Sequence, residues 1–312
     1  MSSPPLTRRC LLQTAAAPLA GAVLGLGACL GSSTAAHAAS TKERVTGTPT
    51  DFYMGVRKAF KSNLLRKGPA PQPWQTQTPP PGVEKINYQS GDHTLTAWIA
   101  MPRALSTKNK AVIFLHGGFA FDVSDFQSAQ AYLDAGYAVI VPILRGENGQ
   151  PGHFSLFYDE VDDVLGVLSA LQKRPDIDAN EIFVAGHSTG GTLSLLSGMA
   201  TTGFKGIASF SGSPDQFWFT DDGKDEKITP FNTKDQNEFY VRSPLFYVQS
   251  LQAPTRYFHG TEEENFSILG ENFAADGQSF GLNIKSVPIT GNHFTFLPEA
   301  IKASIDFFDS IE

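Results

Sequence analysis

Cysteine is almost missing from this 312-residue chain: there are two, Cys10 and Cys29, both within the first thirty residues. A mature protein lacking that segment has no thiol, so disulfide frameworks are excluded as the source of its stability. Basic charge is also in short supply, with 24 Lys and Arg against 31 Asp and Glu, a net charge of −7, and no basic run. Phosphate recognition needs clustered Lys and Arg, so nucleic acid is excluded as a partner. What remains is ordinary globular material, 41% hydrophobic and 18% charged, long enough for one large domain or two small ones.

The first residues are organised differently from the rest. Thr7-Arg8-Arg9-Cys10-Leu11-Leu12 opens an uncharged, Ala/Gly/Leu-rich stretch, and Ala36-His37-Ala38 supplies small residues where a signal peptidase cuts. Residues 1–38 resemble a twin-arginine (Tat) signal peptide, which implies the Tat export machinery as a partner and a periplasmic or secreted mature chain. Leu26-Gly27-Ala28-Cys29 also resembles a lipobox, and membrane attachment is expected only if Cys29 is lipidated. Residues 39–82 are polar and then Pro-rich, and read as a lead-in arm with one short helix near Phe52–Leu65.

From residue 83 to residue 312 the pattern is that of one domain. A hairpin turning at Ser90-Gly91-Asp92 comes first. Then apolar runs suited to strands covered on both faces (Ala111–Leu115, Ala138–Val141, Ile182–Ala185) alternate with helical stripes. Phe126, Ala129 and Leu133 form one stripe, and Val161, Val164, Leu165, Leu168 and Leu171 another. Residues 212–247 lose all period and read as an excursion over the sheet, after which strands at Thr255–Phe258 and Ile284–Val287 and a final helix follow. The alternation predicts an α/β fold with a mostly parallel central sheet and helices on both faces.

Gly186-His187-Ser188-Thr189-Gly190 is a G-x-S-x-G box placed between a predicted strand and a predicted helix, the context that makes Ser188 a nucleophile. A serine hydroxyl needs a base to take its proton, and His293, in the loop after the last strand, fits that part. The acid that orients the histidine is expected after the strand ending at Phe258. There His259-Gly260-Thr261-Glu262-Glu263-Glu264 provides three glutamates and no aspartate. Spacing favours Glu263, with Glu262 and Glu264 as alternatives. Donors for a developing oxyanion are the Thr189 N–H and one from His116-Gly117-Gly118-Phe119, either Gly118 or Phe119. His116 reads as a residue that orders this loop. Phe217, Trp218 and Phe219 are candidate walls of a substrate pocket, and Arg145 either binds a carboxylate or pairs with Asp162 or Asp163.

With these pieces in order, together with Leu144-Arg145-Gly146, Ser243-Pro244-Leu245 and Gly291-Asn292-His293, the chain from Lys110 onward resembles the catalytic domains of the prolyl oligopeptidase and dienelactone hydrolase group of α/β-hydrolases. The resemblance implies an α/β-hydrolase fold and cleavage of an ester or peptide bond through a Ser188 acyl-enzyme, with no metal or organic cofactor. Two departures bear on the substrate: the acid is glutamate, and the arm is too short for a propeller. Small esters or short peptides are therefore expected, with a prolyl oligopeptidase-like peptidase as the alternative. A rival of another class is a non-catalytic relative that binds a ligand.

Overall fold

The computed structural model describes residues 52–103 and 107–312. The signal-like segment, Cys10, Cys29 and the Ala36-His37-Ala38 site lie outside the described residues. Among the described residues no helix is long and apolar enough to cross a membrane.

Eight strands form one sheet: β1 (Glu84–Ser90), β2 (His93–Ala100), β3 (Asn109–Leu115), β4 (Ala138–Pro142), β5 (Ile177–His187), β6 (Gly206–Phe210), β7 (Thr255–Gly260) and β8 (Ile284–Ile289). Their order is β1-β2-β4-β3-β5-β6-β7-β8. The β1–β2 and β2–β4 pairs are antiparallel and the remaining five are parallel. The apolar runs are explained by burial on both faces. Along β3, Ala111, Ile113 and Leu115 enter one hydrophobic cluster while Val112 and Phe114 enter the other.

The helices are α1 (Phe52–Ala59), α2 (Val123–Ser128), α3 (Gln130–Asp134), α4 (Glu160–Gln172), α5 (Thr189–Ala200), α6 (Gln216–Phe219), α7 (Gln236–Tyr240), α8 (Glu264–Ser279) and α9 (Leu297–Asp309), with a 3₁₀ segment at Pro244–Ser250. The first cluster receives Val164 and Leu168 of α4, Leu193 and Leu196 of α5, and Phe273 of α8. The second receives Phe126 of α2, Tyr132 of α3, and Ile301 and Phe308 of α9.

Three local expectations are revised. The Phe126–Leu133 stripe is two short helices that break at Ala129, which caps the first and starts the second. Strand β5 begins at Ile177, ahead of its apolar run, because Asn109 of β3 pairs there across a register shift. The 16-residue α8 occupies a stretch that the sequence left unassigned; only Gly270, Phe273, Ala274 and Gly277 of it are buried. A Cβ on Gly270 would stand 2.1 Å from the Tyr257 ring, so glycine sets how closely α8 approaches the sheet.

The arm and the excursion are joined through buried polar groups. Tyr53 of α1 is fully buried and donates to the Val241 carbonyl. Leu65 and Arg66 N–H groups both donate to the Pro230 carbonyl. Arg242, also fully buried, donates to Glu238 Oε2 at 2.5 Å, to the Ser155 and Leu156 carbonyls, and to Ser62 Oγ. A buried ion pair is stabilising only relative to its broken halves, because the charge left alone remains desolvated. Arg242→Met is therefore expected to lower unfolding free energy by about 3–5 kcal/mol, read from urea titrations. The Arg242→Met/Glu238→Gln pair should recover part of that loss; a double variant no better than the single one would contradict the account.

Candidate active site

Strand β5 passes directly into α5, and Ser188 is the residue at the join. Its φ of 56° and ψ of −116° lie in a region that non-glycine residues rarely adopt. Close packing on both sides demands this turn. A Cβ on Gly186 would lie 2.2 Å from the Gly190 carbonyl oxygen, and one on Gly190 would lie 2.1 Å from the Leu115 carbonyl oxygen. Strand, helix and the end of β3 thus touch backbone to backbone, which only glycine permits. The Ser188 N–H still continues the sheet, donating to the Phe210 carbonyl at 2.8 Å. Gly186, His187, Thr189 and Gly190 are buried, and Ser188 alone in the box keeps access to solvent.

The three glutamates separate by burial and partners. Glu262 and Glu264 are exposed, whereas Glu263 is 9% exposed at the entrance to α8. Glu263 Oε1 accepts from His293 Nδ1–H at 2.5 Å. Its Oε2 accepts from the Ser211 hydroxyl at 2.6 Å and from the Gly260 N–H at 2.8 Å. Burial by itself raises the pKa of this carboxyl, but the hydrogen bonds from His293, Ser211 and Gly260 outweigh it and hold the group below the ordinary glutamate range. Glu263 is therefore ionised at neutral pH and fixes the proton of His293 on Nδ1, leaving Nε2 as the basic nitrogen.

The imidazole of His293 is held on several sides. Phe266 stacks on it with ring centroids 5.2 Å apart, and Phe294 meets it edge-on at 5.1 Å. His187 Nε2–H donates to the His293 carbonyl at 2.7 Å, fixing the loop that carries it. His259 is buried near the end of β7, and His153 lies in the loop ahead of α4.

The loop His116–Phe119 follows β3 and lies against the turn that carries Ser188; a Cβ on Gly117 would fall 3.4 Å from Ser188 Cβ. His116 is buried between two acceptors, with Nε2 3.0 Å from Glu147 Oε2 and Nδ1 3.2 Å from the Gly117 carbonyl. Burial disfavours its charge, yet the Glu147 carboxylate more than compensates and lifts the imidazole to about 9. As an imidazolium it donates from both nitrogens. The Thr189 hydroxyl donates to the Gly118 carbonyl at 2.7 Å, tying this loop to the start of α5. The Thr189 N–H is among the first of α5 and has no acceptor within the helix. Of the two expected loop donors, Phe119 is already engaged: its N–H donates to Gln72 Oε1 at 2.9 Å. The Gly118 N–H has no acceptor among the described residues.

The aromatic trio divides. Phe217 stacks on Phe239 with centroids 4.7 Å apart and Phe219 packs towards Phe157, and both rings lie partly buried against the first hydrophobic cluster. Trp218 is 37% exposed and meets Phe266, the ring that lies on His293. Arg145 pairs with the buried Asp163, at 2.6 Å, and so belongs to the framework. Sequence reasoning missed Ser211, Phe266 and Gln72. Ser211 follows β6 directly and has a positive φ of 49°, which turns it towards Glu263. Phe266 is hidden in the unread α8, and Gln72 sits in the Pro-rich arm with no motif to mark it. Among the described residues no group of three or more His, Cys, Asp or Glu is placed to hold a metal ion.

Residues 124–270, from α2 into α8, match the model of the prolyl oligopeptidase family. Two curated relatives are the uncharacterized peptidases YtmA and YuxL of Bacillus subtilis. YtmA is 25% identical over 144 residues, covering 44% of this chain and 56% of its own length. YuxL is 26% identical over 207 residues, covering 59% of this chain and 31% of its own. The chain thus spans little more than half of one relative and about a third of the other. Among solved structures, Pyrococcus horikoshii acylaminoacyl peptidase superposes with a TM-score of 0.62 at 20% identity, over 73% of this chain and 41% of that one. Sheet order, the strained strand-to-helix turn at Ser188 and structural likeness agree that this chain has the α/β-hydrolase fold.

Proposed function

We propose that this protein is a serine hydrolase that cleaves small ester or short-peptide bonds through an acyl-enzyme on Ser188. The observation that carries this reading is the Glu263–His293 hydrogen bond at 2.5 Å, on a loop that His187, the residue before the strained Ser188, holds through the His293 carbonyl. In the mechanism, His293 Nε2 takes the Ser188 proton as Oγ attacks the carbonyl carbon, and returns it to the leaving alcohol or amine. Glu263 stays ionised and stabilises the imidazolium. The Thr189 and Gly118 N–H groups receive the oxyanion. Water then attacks the acyl-enzyme by the same proton route. The peptidase alternative draws support from the family match at residues 124–270 and from the names of the relatives.

Export belongs to the same proposal. The twin arginines Arg8 and Arg9 and the cleavage pattern ending at Ala38 support a mature chain delivered by the Tat route, with an arm at 39–82 and a catalytic domain at 83–312. The mass of the mature N-terminus distinguishes Ala39 from a lipidated Cys29.

Matched p-nitrophenyl esters and aminoacyl p-nitroanilides assayed side by side test the activity. Ser188→Ala and His293→Ala should abolish turnover. Glu263→Gln should lower kcat by roughly 10³- to 10⁴-fold, with Glu262→Gln and Glu264→Gln close to wild type. A loss concentrated in either exposed glutamate would overturn the assignment of the acid. Faster turnover of amides than of matched esters would decide for the peptidase.

His116 gives the site a pH dependence. Its pKa is raised from the ordinary 6.5 to about 9, so the folded state binds this proton more tightly than the unfolded chain. The stability it contributes is complete below about 6.5 and disappears as pH rises through about 9. Thermal unfolding midpoints should therefore fall between those values in the wild type, and fall less steeply in His116→Asn. Parallel slopes in the two proteins would contradict the charged His116–Glu147 pair.

A further inference from the structure

The loop expected to bind the oxyanion contains two successive peptide units, and each is held by side chains. In the first, the Gly117 carbonyl accepts from His116 Nδ1–H. A trans peptide points its N–H opposite to its carbonyl, so the Gly118 N–H faces away from His116. Among the described residues that N–H has no acceptor. In the second unit, the Gly118 carbonyl accepts from the Thr189 hydroxyl at 2.7 Å and the Phe119 N–H donates to Gln72 Oε1 at 2.9 Å. This unit is clamped at both ends, and one of the clamps comes from the N-terminal arm.

The fit between Gln72 and the loop is close. Gly118 has a φ of +76°, and a Cβ there would lie 2.7 Å from Gln72 Oε1. Glycine thus supplies both the left-handed backbone and the room for the carboxamide. Gln72 is itself exposed, so its position depends on the arm around it. That arm is pinned on either side. The Phe154 N–H donates to the Gly68 carbonyl and the Ala70 N–H to the Gly146 carbonyl. Further along, Gln77 Nε2–H donates to Asp122 Oδ2 at 3.0 Å, and Trp74 lies against Gly149. These anchors remove much of the entropy that an exposed glutamine would otherwise lose in making one hydrogen bond.

We infer that Gln72 is a positioning residue for catalysis: with Thr189 it fixes the Gly118–Phe119 peptide unit, and through that unit it aims the Gly118 N–H at the oxyanion formed on Ser188 attack. The inference rests on the Ser188 hydrolase reading. It makes the arm part of the machinery, although the arm lies outside the stretch that matches the family.

The test compares Gln72→Met, which keeps length and removes the acceptor, with Gln75→Met, the same change at an exposed neighbouring glutamine that the argument gives no part. Steady-state hydrolysis of a p-nitrophenyl ester and the rate of inactivation by a fluorophosphonate probe are measured on the full mature chain, with urea midpoints confirming the fold. Gln72→Met should lower kcat by roughly three- to tenfold with KM unchanged, the range expected for one neutral hydrogen bond. Inactivation should slow in proportion, and Gln75→Met should match wild type. A rise in kcat would overturn the inference by making Gln72 a blocking group. An increase confined to KM, an equal loss in both variants, or no change at all would also overturn it. A wild type inert to the probe would instead overturn the assignment of Ser188, a separate result.

Discussion

The arrangement depends on the contact between the end of β5, the start of α5 and the end of β3. Gly186 and Gly190 let these three backbones meet at distances that a single Cβ would forbid. With no loop between strand and helix, Ser188 must take a φ of 56°. A non-glycine residue in such a region costs on the order of 1–3 kcal/mol, which survives only where neighbours over-determine the conformation. Here the neighbours are the sheet, through the Phe210 carbonyl, and the helix, through the Gly191 N–H bonded to the Ser188 carbonyl. Because β3 is part of the contact, the His116–Phe119 loop is brought to the serine by the same packing.

Around that point the polar groups form a graded set of restraints. Glu263 accepts three hydrogen bonds and so tolerates burial as an anion. His116 is buried as a cation between Glu147 and the Gly117 carbonyl, and Glu147 also accepts from the Leu144 N–H. Each charge is desolvated and each is matched, the condition under which burial fixes geometry rather than destabilising it. The aromatic groups do a different job. Phe266 and Phe294 enclose the imidazole of His293, and Trp218 extends the apolar surface outward from Phe266.

Much of this was legible in the sequence where one physical signal dominated. Strands buried on both faces read as continuous apolar runs, so β3, β4 and the end of β5 were placed without ambiguity. The serine box was legible from its position between strand and helix. The signal failed where burial is partial. Helix α8 buries only four of its sixteen residues and carries two glycines, so no stripe marks it. Spacing favoured Glu263 but left Glu262 and Glu264 as alternatives; the fold separates the three by turning one inward. Phe217 and Phe219 looked like Trp218 in sequence, and only packing distinguishes two rings set against the first cluster from an exposed one on Phe266. Gln72 was invisible because its partner, the Phe119 N–H, lies 47 residues away along the chain.

The most direct test of the central claim is to trap the covalent intermediate. Mature protein mixed with a p-nitrophenyl ester and quenched in acid within the first turnovers should yield a chromophore burst equal to the enzyme concentration. Peptide mass mapping should then place the acyl group on Ser188. A folded protein that turns over the ester with no acylated peptide, or with the acyl group on any other residue, would contradict the account.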